Sequence, residues 1–487
     1  MNTRLQLTAS ALLVAMLAAG CADMQGLAPQ ASRNDAAGLA AAGSIANTRL
    51  SPAAWPATDW WKRYNDPQLD ALMNEALAGS PTLRMAEARA RQALAFAQTL
   101  KAPLYPQAGG TAGLTRERFP EHGLIPPPFA GAWETQTQLQ ATLNYELDLW
   151  GKNRAAYDSA LGQAKAAEID AYAARLALSV DIAHAYVQLE RAFLQRDVAE
   201  KALAQQEHIY ALTRERFEAG IDSRLAVKQA EAALPATRER IAQLQETIGL
   251  MRNEIAALMG EGPDRGLAIR RPAAKVLGPV EIPSALPAAL IGRRPDIVAQ
   301  RWRVEAARKD IEVAKTQFYP NVSLTAFVGL QSIGLPGFLT AQSRTLGAGP
   351  ALTLPIFDNI RLRGNLAGRD AQYDAAVEVY NQKLVDALRD VVDQLTSFRS
   401  LDEQRRQQRL AQATAQDAYD LALLRFRAGT SNYLEVLTAQ SQLLAQESFA
   451  ADLRARALDL SINLVRALGG GFDDTSTAAA RTARASH

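Results

Sequence analysis

The sequence contains few of the residues from which catalytic centres and nucleic-acid surfaces are usually built. Its 487 residues include one cysteine and four histidines, and the formal net charge is only +2. A single cysteine excludes an internal disulfide, and balanced charge gives no global field directed at nucleic acid. The histidines show no metal-ligand spacing, and no phosphate loop or nucleophile elbow occurs. We therefore expect no catalytic residue, no metal, no cofactor and no nucleic-acid partner.

Long apolar runs are absent too, with one exception at the N-terminus. Leu5 to Ala19 is apolar, but at about 15 residues it is too short to span a bilayer as a helix. It is typical of a signal peptide, which we place at residues 1–20. Beyond it, no stretch approaches the roughly 18 apolar residues of a membrane helix. If the mature protein enters a membrane, it must do so as strands.

The signal region ends in small residues directly before Cys21, an arrangement similar to a bacterial lipobox. This predicts cleavage before Cys21 and lipidation of its thiol and amine; the alternative is a free cysteine in an ordinary signal region. Ala22 stands where an aspartate often signals retention in the inner membrane, so the outer membrane is favoured. Residues 21–65 then form a lipid-anchored extension.

The rest of the chain is a tandem duplication. Equivalent positions recur at nearly constant separations: 214 residues for Pro81 and Pro295 and for Pro106 and Pro320, and 209 for segments 210–220 and 419–429. A period this long indicates two copies of a domain-sized unit rather than a solenoid. We place the first copy at 66–282 and the second at 283–470. The Gly-, Ala-, Ser- and Thr-rich tail, 471–487, is predicted to be disordered.

Each copy contains two segments whose side chains alternate between apolar and polar, as in strands with one apolar face. We place these strands at about 107–119, 133–150, 321–333 and 344–357. Their lengths suit membrane strands, and aromatic residues at their ends fit an interfacial girdle. A soluble antiparallel sheet with one wet face gives the same alternation. Four strands cannot close a barrel in lipid, so a membrane barrel would be shared between chains, as a dimer or a trimer.

Very long helices follow the strand pairs. We predict helices at about 152–219, 223–259, 361–428 and 431–468, the longer ones roughly 100 Å if continuous. Their two apolar stripes suit a closed ring of helices and equally a plain long bundle. Gly220 and Gly429 suit left-handed C-terminal caps. Ser223, and Ser431 or Asn432, can cap the returning helices.

Several motifs make the chain similar to TolC-like outer-membrane factors of the NodT-type lipoprotein branch: Asp66-Pro67-Gln68-Leu69 after Trp60-Trp61, Arg293-Arg294-Pro295-Asp296, Phe318-Tyr319-Pro320 and Leu354-Pro355-Ile356-Phe357-Asp358. The resemblance implies an α+β membrane protein. Four transmembrane β-strands per chain would contribute to a shared trimeric β-barrel above a long periplasmic α-helical barrel. It also implies passive export of drugs or small solutes, driven by an inner-membrane pump and joined through a periplasmic adaptor. The run from Arg293 to Phe357 looks closest to members serving major-facilitator or fusaric-acid-type pumps.

The resemblance also implies that the hairpin turns form the gating or adaptor-docking end. The residues concerned are Gly220, Asp222, Ser223, Arg224, Gly429, Thr430, Ser431, Asn432, Tyr433 and Glu435. Glu435 aligns with a gate carboxylate, although a solvated helix carboxylate is an equal reading, and Thr438 stands where a second carboxylate is often found. Asp222, Arg224 and Tyr433 are candidates for docking or latching neighbours. The rival hypothesis is a periplasmic helical adaptor or scaffold lipoprotein of an export complex.

Overall fold

The structure is a computed structural model that describes residues 24–35, 39, 50–51, 55–275, 282–283, 290–355 and 357–474. Cys21 and the predicted signal peptide lie outside these ranges. The chain divides into two compact units. Unit 1 takes the described residues among 1–33, 89–167 and 299–381, and unit 2 takes those among 34–88, 168–298 and 382–487. Each unit draws on both predicted repeats, so a repeat of the sequence does not correspond to one compact unit.

The described part of the chain is mostly helical. In chain order the α-helices are α1 (Pro67–Gly79), α2 (Pro81–Lys101), α3 (Lys152–Glu218), α4 (Arg224–Met259), α5 (Pro263–Leu267), α6 (Leu290–Arg293), α7 (Pro295–Thr316), α8 (Asn359–Arg427) and α9 (Tyr433–Ala467). Short 3-10 turns occur at Trp60–Tyr64, Ala102–Leu104 and Ala341–Ser343. Within the described ranges, none of these helices is both long and apolar enough to cross a membrane.

Within the described ranges six strands accompany the helices: β1 (Leu50–Ser51), β2 (Gln107–Arg118), β3 (Trp133–Leu147), β4 (Ile282–Pro283), β5 (Asn321–Ile333) and β6 (Arg344–Thr353). The short strands β1 and β4 pair in parallel. The other four form one antiparallel sheet in unit 1, in the order β2-β3-β5-β6. The loops that join β2 to β3 and β5 to β6 leave one end of this sheet, which we call the loop end. Helices α2, α3, α7 and α8 adjoin the opposite end, the helix end.

The register of the sheet separates its two faces. Leu139 pairs with Ala112 and Leu330, whereas the next residue, Gln140, pairs with Thr111 and Gly329. Directly paired residues in an antiparallel sheet point to the same side. One face therefore carries the apolar residues of all four strands, and the other carries mostly uncharged polar residues. The apolar face is exposed within the chain, as Leu114, Val328, Leu346 and Leu352 illustrate.

Two strands end earlier than the alternation suggests. β3 stops at Leu147 because Asp148 turns away to cap the following helix, accepting hydrogen bonds from the backbone N–H groups of Asn153 and Arg154, both at 2.9 Å. β6 stops at Thr353, shortly before Pro355. Pro350 lies within β6, which tolerates it as an outer strand of the sheet. In the sequence, apolar and polar residues still alternate beyond both strand ends, because this alternation does not record where the backbone turns away.

The core of unit 2 forms around the 3-10 turn and the first helix. Trp60, Trp61 and Tyr64 pack with α1 against the middle of α3 and the end of α4. Asp66 caps α1 and is almost fully buried. Its carboxylate also accepts hydrogen bonds from the Tyr186 hydroxyl and the Ala273 N–H, each at 2.8 Å. The Asp-Pro-Gln-Leu motif is therefore a cap that also joins three segments of the chain.

The Arg-Arg-Pro-Asp motif also has a structural role. The Arg294 guanidinium bonds both carboxylate oxygens of Asp296, at 3.1 and 2.8 Å. It reaches Asp390 of α8 at 3.2 Å and the Ala467 carbonyl at the end of α9 at 3.3 Å. The pKa of Asp296 is lowered, because the charged and hydrogen-bonded Arg294 outweighs burial, which is the largest single influence and acts to raise it. One side chain thus fastens the start of α7 to two other helices.

The first residues of the tail that was predicted to be disordered, 471–474, are described by the structure and pack against it. Phe472 is only 7% exposed, and its ring lies 5.5 Å from that of Tyr172 in α3. Gly469 adopts φ +86°, and a Cβ there would meet the Arg293 carbonyl at 1.9 Å. Glycines at this point therefore permit close packing rather than disorder. Residues beyond 474 lie outside the described part of the chain.

Candidate functional site

The first hairpin turn, which we call the first tip (residues 216–226), joins α3 to α4. Gly220 has φ +77°, and its N–H donates to the Phe217 carbonyl at 2.9 Å. The next N–H, of Ile221, donates to the Arg216 carbonyl at 2.8 Å. Such backward bonds satisfy the last carbonyls of a helix and need a left-handed residue. Ser223 then caps α4, its hydroxyl oxygen accepting from the Ala226 N–H.

The second tip (residues 425–435) joins α8 to α9 in the same way. Gly429 also has φ +77°, and its N–H donates to the Phe426 carbonyl at 3.1 Å. The Thr430 hydroxyl donates to the Arg425 carbonyl at 3.1 Å. Of the two candidate caps, Asn432 is the one used, since its side chain accepts from the Glu435 N–H at 3.2 Å. The Ser431 hydroxyl is buried and makes no hydrogen bond among the described residues.

A buried arginine connects the two tips. Arg216 Nε donates to Asp222 Oδ2 at 2.7 Å, and the two side chains are only 9% and 10% exposed. Its Nη1 donates to the Phe426 carbonyl of the second tip at 2.5 Å. The guanidinium lies over the Phe426 ring, 4.4 Å from its centroid. This group, which we call the tip latch (Arg216, Asp222, Phe426), holds both hairpins of one chain together.

The matching arginine of the second copy behaves differently. Arg425 is 59% exposed and forms a looser ion pair, 3.4 Å, with Glu435. Sequence reasoning selected Asp222 and Glu435 but missed Arg216 and Phe426. The separation of 209 residues aligns Arg216 with Arg425 and Phe217 with Phe426, so the sequence marks these positions as equivalent. It does not tell which member of each pair is buried.

Apolar packing supports the latch from beneath. Phe426, Tyr433 and Val436 belong to one buried cluster with Ile209 and Tyr419. Burial raises the pKa of the Tyr433 hydroxyl. Tyr433 was a candidate for docking or latching neighbours; its side chain is 4% exposed and packs within this cluster. Its position in the cluster fixes the start of α9.

The surface of the tips combines exposed apolar and polar groups. Ile221, Leu225 and Leu434 are exposed. Arg224 is exposed as well and forms no ion pair within the part of the chain that the structure describes. The Thr438 hydroxyl donates to its own helix, to the Leu434 carbonyl at 2.8 Å. Position 438 thus supplies a hydroxyl and not a second carboxylate beside Glu435, as the sequence indicated.

Two histidines of α3, His184 and His208, form hydrogen bonds with side chains of other segments. His208 Nε2 lies 2.8 Å from Arg427 Nη2, and a guanidinium can only donate, so this ring nitrogen accepts. His184 contacts Asp459 and Asn463. No group of three or more potential metal ligands occurs among the described residues.

Comparison with known proteins agrees with this architecture. The profile of the outer membrane efflux protein family matches residues 72–261 and 286–470. The fusaric acid resistance protein FusA of Burkholderia cepacia is 40% identical over 372 residues, covering 76% of this chain and 70% of FusA. The multidrug resistance outer membrane protein MdtP of Escherichia coli strain K12 is 31% identical over 438 residues, covering 87% of this chain and 88% of MdtP.

Solved structures give the same result. The outer membrane protein VceC of Vibrio cholerae is 36% identical and superposes with a TM-score of 0.80, covering 86% of this chain and all of VceC. The chain is thus an outer-membrane efflux component with the TolC-like fold, a transport protein and not an enzyme. It belongs to the outer membrane efflux protein family. This family membership favours the hypothesis of an outer-membrane channel over that of a periplasmic adaptor.

Proposed function

We propose that three copies of this chain form the exit duct of a tripartite efflux system. The observation that carries this proposal is the four-stranded sheet of unit 1, whose outer strands β2 and β6 each have one edge without a partner in the described chain. Open edges are not tolerated in lipid, and four strands are too few to close a barrel. Joining β6 of one copy to β2 of the next removes every open edge. The polar face then lines the duct.

Reconstitution in a planar bilayer tests the duct. The full-length protein should insert as a heat-sensitive oligomer and produce discrete conductance steps. If the closed tips hide the conductance of the wild type, an Asp222→Asn variant should reveal it, because the tip latch is weakened. An oligomer that stays non-conducting in both forms would contradict the proposal.

The tips are proposed as the gating and adaptor-docking end. The latch fixes the two hairpins of one chain, while Glu435, Arg425 and Arg224 remain exposed to neighbours. The exposed apolar groups Ile221, Leu225 and Leu434 suit helix-to-helix docking. Cysteine pairs between the tips and a co-expressed periplasmic adaptor test this. Cross-linking should occur at Leu225 or Leu434 and not at the buried Val436.

Lipid anchoring through Cys21 is proposed with support from the residues that follow it. Residues 24–33, which we call the strap, lie along α7 and α8 in unit 1. Met24 and Leu27 pack on a cluster that includes Phe318 and Leu362, close to the helix end of the sheet. The Asp374 carboxylate accepts hydrogen bonds from the backbone N–H groups of Gln30 and Ala31, at 2.9 Å each. Cys21 precedes Met24 by three positions, with two residues between them, so an anchor on Cys21 would be tethered within about 10 Å of Met24.

Intact-mass measurement tests the anchor directly. The mature protein should begin at Cys21 and carry acyl chains, and Cys21→Ala should remove that mass. Asp374→Asn should leave the acyl mass unchanged but expose residues 24–35 to protease, because the hydrogen bonds from the Gln30 and Ala31 N–H groups to this side chain are weakened. An unmodified N-terminus before Cys21 would refute the anchoring.

The pump partner is proposed to be of the fusaric-acid or major-facilitator type. The support is the 40% identity with the fusaric acid resistance protein FusA. Deletion of the chain's gene should lower the tolerated concentration of fusaric acid more than that of unrelated drugs. Unchanged tolerance, with the protein expressed, would assign it to another pump.

A further inference from the structure

The loop end of the sheet carries three arginines on its apolar face. On β2, Arg116 pairs with Thr135 and Arg118 with Trp133, and on β6, Arg344 pairs with Leu330. All three lie in the same side-chain register as the apolar residues of their strands. We call them the arginine rim (Arg116, Arg118, Arg344). Charges on the lipid-facing side of membrane strands are costly near the bilayer centre and tolerated only near its surfaces.

Each arginine stands where the apolar run of its strand ends. Leu114 is the last large apolar residue before Arg116, and Leu346 is the first after Arg344; both leucines are exposed. Strands of membrane barrels are tilted, so position along each apolar run is the appropriate measure of depth. By that measure the rim lies at the boundary between hydrocarbon and headgroups.

The charge of the rim is largely uncompensated. Arg118 donates to the Gly131 carbonyl at 3.0 Å and pairs with Glu121 at 2.9 Å. Arg116 and Arg344 are exposed and form no ion pair within the described ranges. The same face at the helix end carries only uncharged residues: Ala108, Tyr145, Leu147, Val322 and Leu352. The asymmetry places positive charge at one bilayer surface only.

We propose that the arginine rim binds the phosphates of a lipid headgroup in the leaflet on the loop side. The bidentate fork of a guanidinium matches phosphate oxygens, and basic clusters at a membrane surface attract anionic lipids. Trp133, exposed beside Arg118, provides an interfacial ring next to the charges. Because β2 and β6 are the outer strands, the shared barrel brings Arg344 of one copy beside Arg116 and Arg118 of the next. The inference rests on the proposed function at this step, with one lipid site at each seam between copies.

Native mass spectrometry of the full-length oligomer tests the site, with bis-phosphorylated lipid A and its dephosphorylated counterpart as probes. The wild type should retain the phosphorylated lipid preferentially. Arg116→Gln and Arg344→Gln should each weaken retention about fivefold, and the double variant about thirtyfold, since each arginine contributes separately. Lysine at both positions should restore part of the binding. Arg240→Gln, on exposed α4, is the matched control and should change nothing.

Equal retention of the two lipids by the wild type would overturn the inference without any variant. Equal retention of the phosphorylated lipid by the double variant and the control would also overturn it. Conductance of the same samples separates the two hypotheses. A conducting oligomer without phosphate preference refutes only the lipid site, whereas absence of any oligomer in lipid refutes the shared barrel.

Discussion

At the scale of the residue, two equivalent arginines show how the duplicated halves have diverged. Arg216 is buried and joins Asp222 to the Phe426 carbonyl, whereas Arg425 is exposed beside Glu435. A buried pair becomes an uncompensated charge when one partner is removed, so its loss is costly. An exposed pair contributes little because water replaces it. The two tips should therefore respond differently to the same kind of substitution.

Asp222→Asn should destabilise the tips by about 3 kcal/mol, because Arg216 is left buried without its counter-ion. Glu435→Gln should cost less than about 1 kcal/mol. Hydrogen exchange of residues 216–226 and 425–435 measures both effects in otherwise identical samples. Equal hydrogen-exchange protection of the tips in the two variants would show that the tip latch contributes no more than the exposed ion pair.

Asp370, on α8, gives a prediction about pH. The residue is 5% exposed, and neither carboxylate oxygen has a hydrogen-bond partner among the described residues. Burial raises its pKa above the ordinary value of 3.8 and outweighs the opposing charge of Lys315, while Asp374 adds a smaller upward effect. The folded state therefore favours the protonated acid. Stability from this group is present at low pH and is lost as pH rises through the raised pKa.

Asp370→Asn should accordingly raise the stability of the protein by about 1 kcal/mol at neutral pH, because a buried charge is removed. The advantage should vanish below the unfolded pKa, where both side chains are neutral. Thermal unfolding at fixed scan rate across the acid range measures the difference. Asp374→Asn, one helical turn away, should lower the stability of the protein, because the Asp374 carboxylate accepts backbone hydrogen bonds from the strap. A neutral-pH loss in Asp370→Asn would contradict the assignment.

At the scale of the element, the ends of helices and strands are set by a few side chains. Ser223 and Asn432 cap the returning helices, Asp148 stops β3, and Gly220 and Gly429 end the long helices. Arg294 has a wider effect, because it ties the start of α7 to α8 and α9. The start of α7 is thus held by tertiary contacts as well as by its proline.

Arg294→Met should destabilise unit 2 by about 3 kcal/mol, because Asp296 and Asp390 lose their counter-ion while the space stays filled. Arg293→Met is the matched control at the neighbouring position. Arg293 is more exposed, 34% against 12%, and pairs only with Asp473 among the ion pairs of the described chain. Denaturant midpoints of the two variants give the comparison. Equal midpoints would show that the buried network contributes nothing.

At the scale of the whole molecule, function depends on which face of the sheet meets lipid. Neighbouring residues on β3 face opposite sides, so a single-residue step changes the surroundings of a side chain completely. Leu139 lies on the apolar face and Gln140 on the polar face. This pair allows the orientation of the sheet to be tested with the same new side chain at adjacent positions.

Leu139→Arg should reduce the amount of protein in the outer membrane, since arginine facing lipid costs about 2 to 4 kcal/mol near the midplane. Gln140→Arg should assemble normally and shift the reversal potential of the conductance toward anions. Fractionation and bilayer recording measure the two outcomes. An assembly defect in Gln140→Arg alone would reverse the assignment of the faces.

The sequence by itself determined the elements and their repetition. Proline positions, alternation of period two and long runs of helix formers are local properties, so they predicted four strands, long helices and two glycine turns. The outer-membrane efflux family followed from motifs such as Asp66-Pro67-Gln68-Leu69, which also proved to be structural joints. Strand ends at Leu147 and Thr353 were missed by a few residues, and at Leu147 the reason is that Asp148 acts through backbone hydrogen bonds.

Only the tertiary structure decided which equivalent residues have which surroundings. Arg216 and Arg425 occupy equivalent positions of the two copies, and Tyr433 was a candidate for docking or latching neighbours. Burial depends on what the rest of the chain places against a side chain, and no local pattern records that. The same reason explains why Phe472 packs in a segment of disordered composition. Charge, period and turn chemistry are written along the chain, whereas the partners of Arg216 are 6 and 210 positions away.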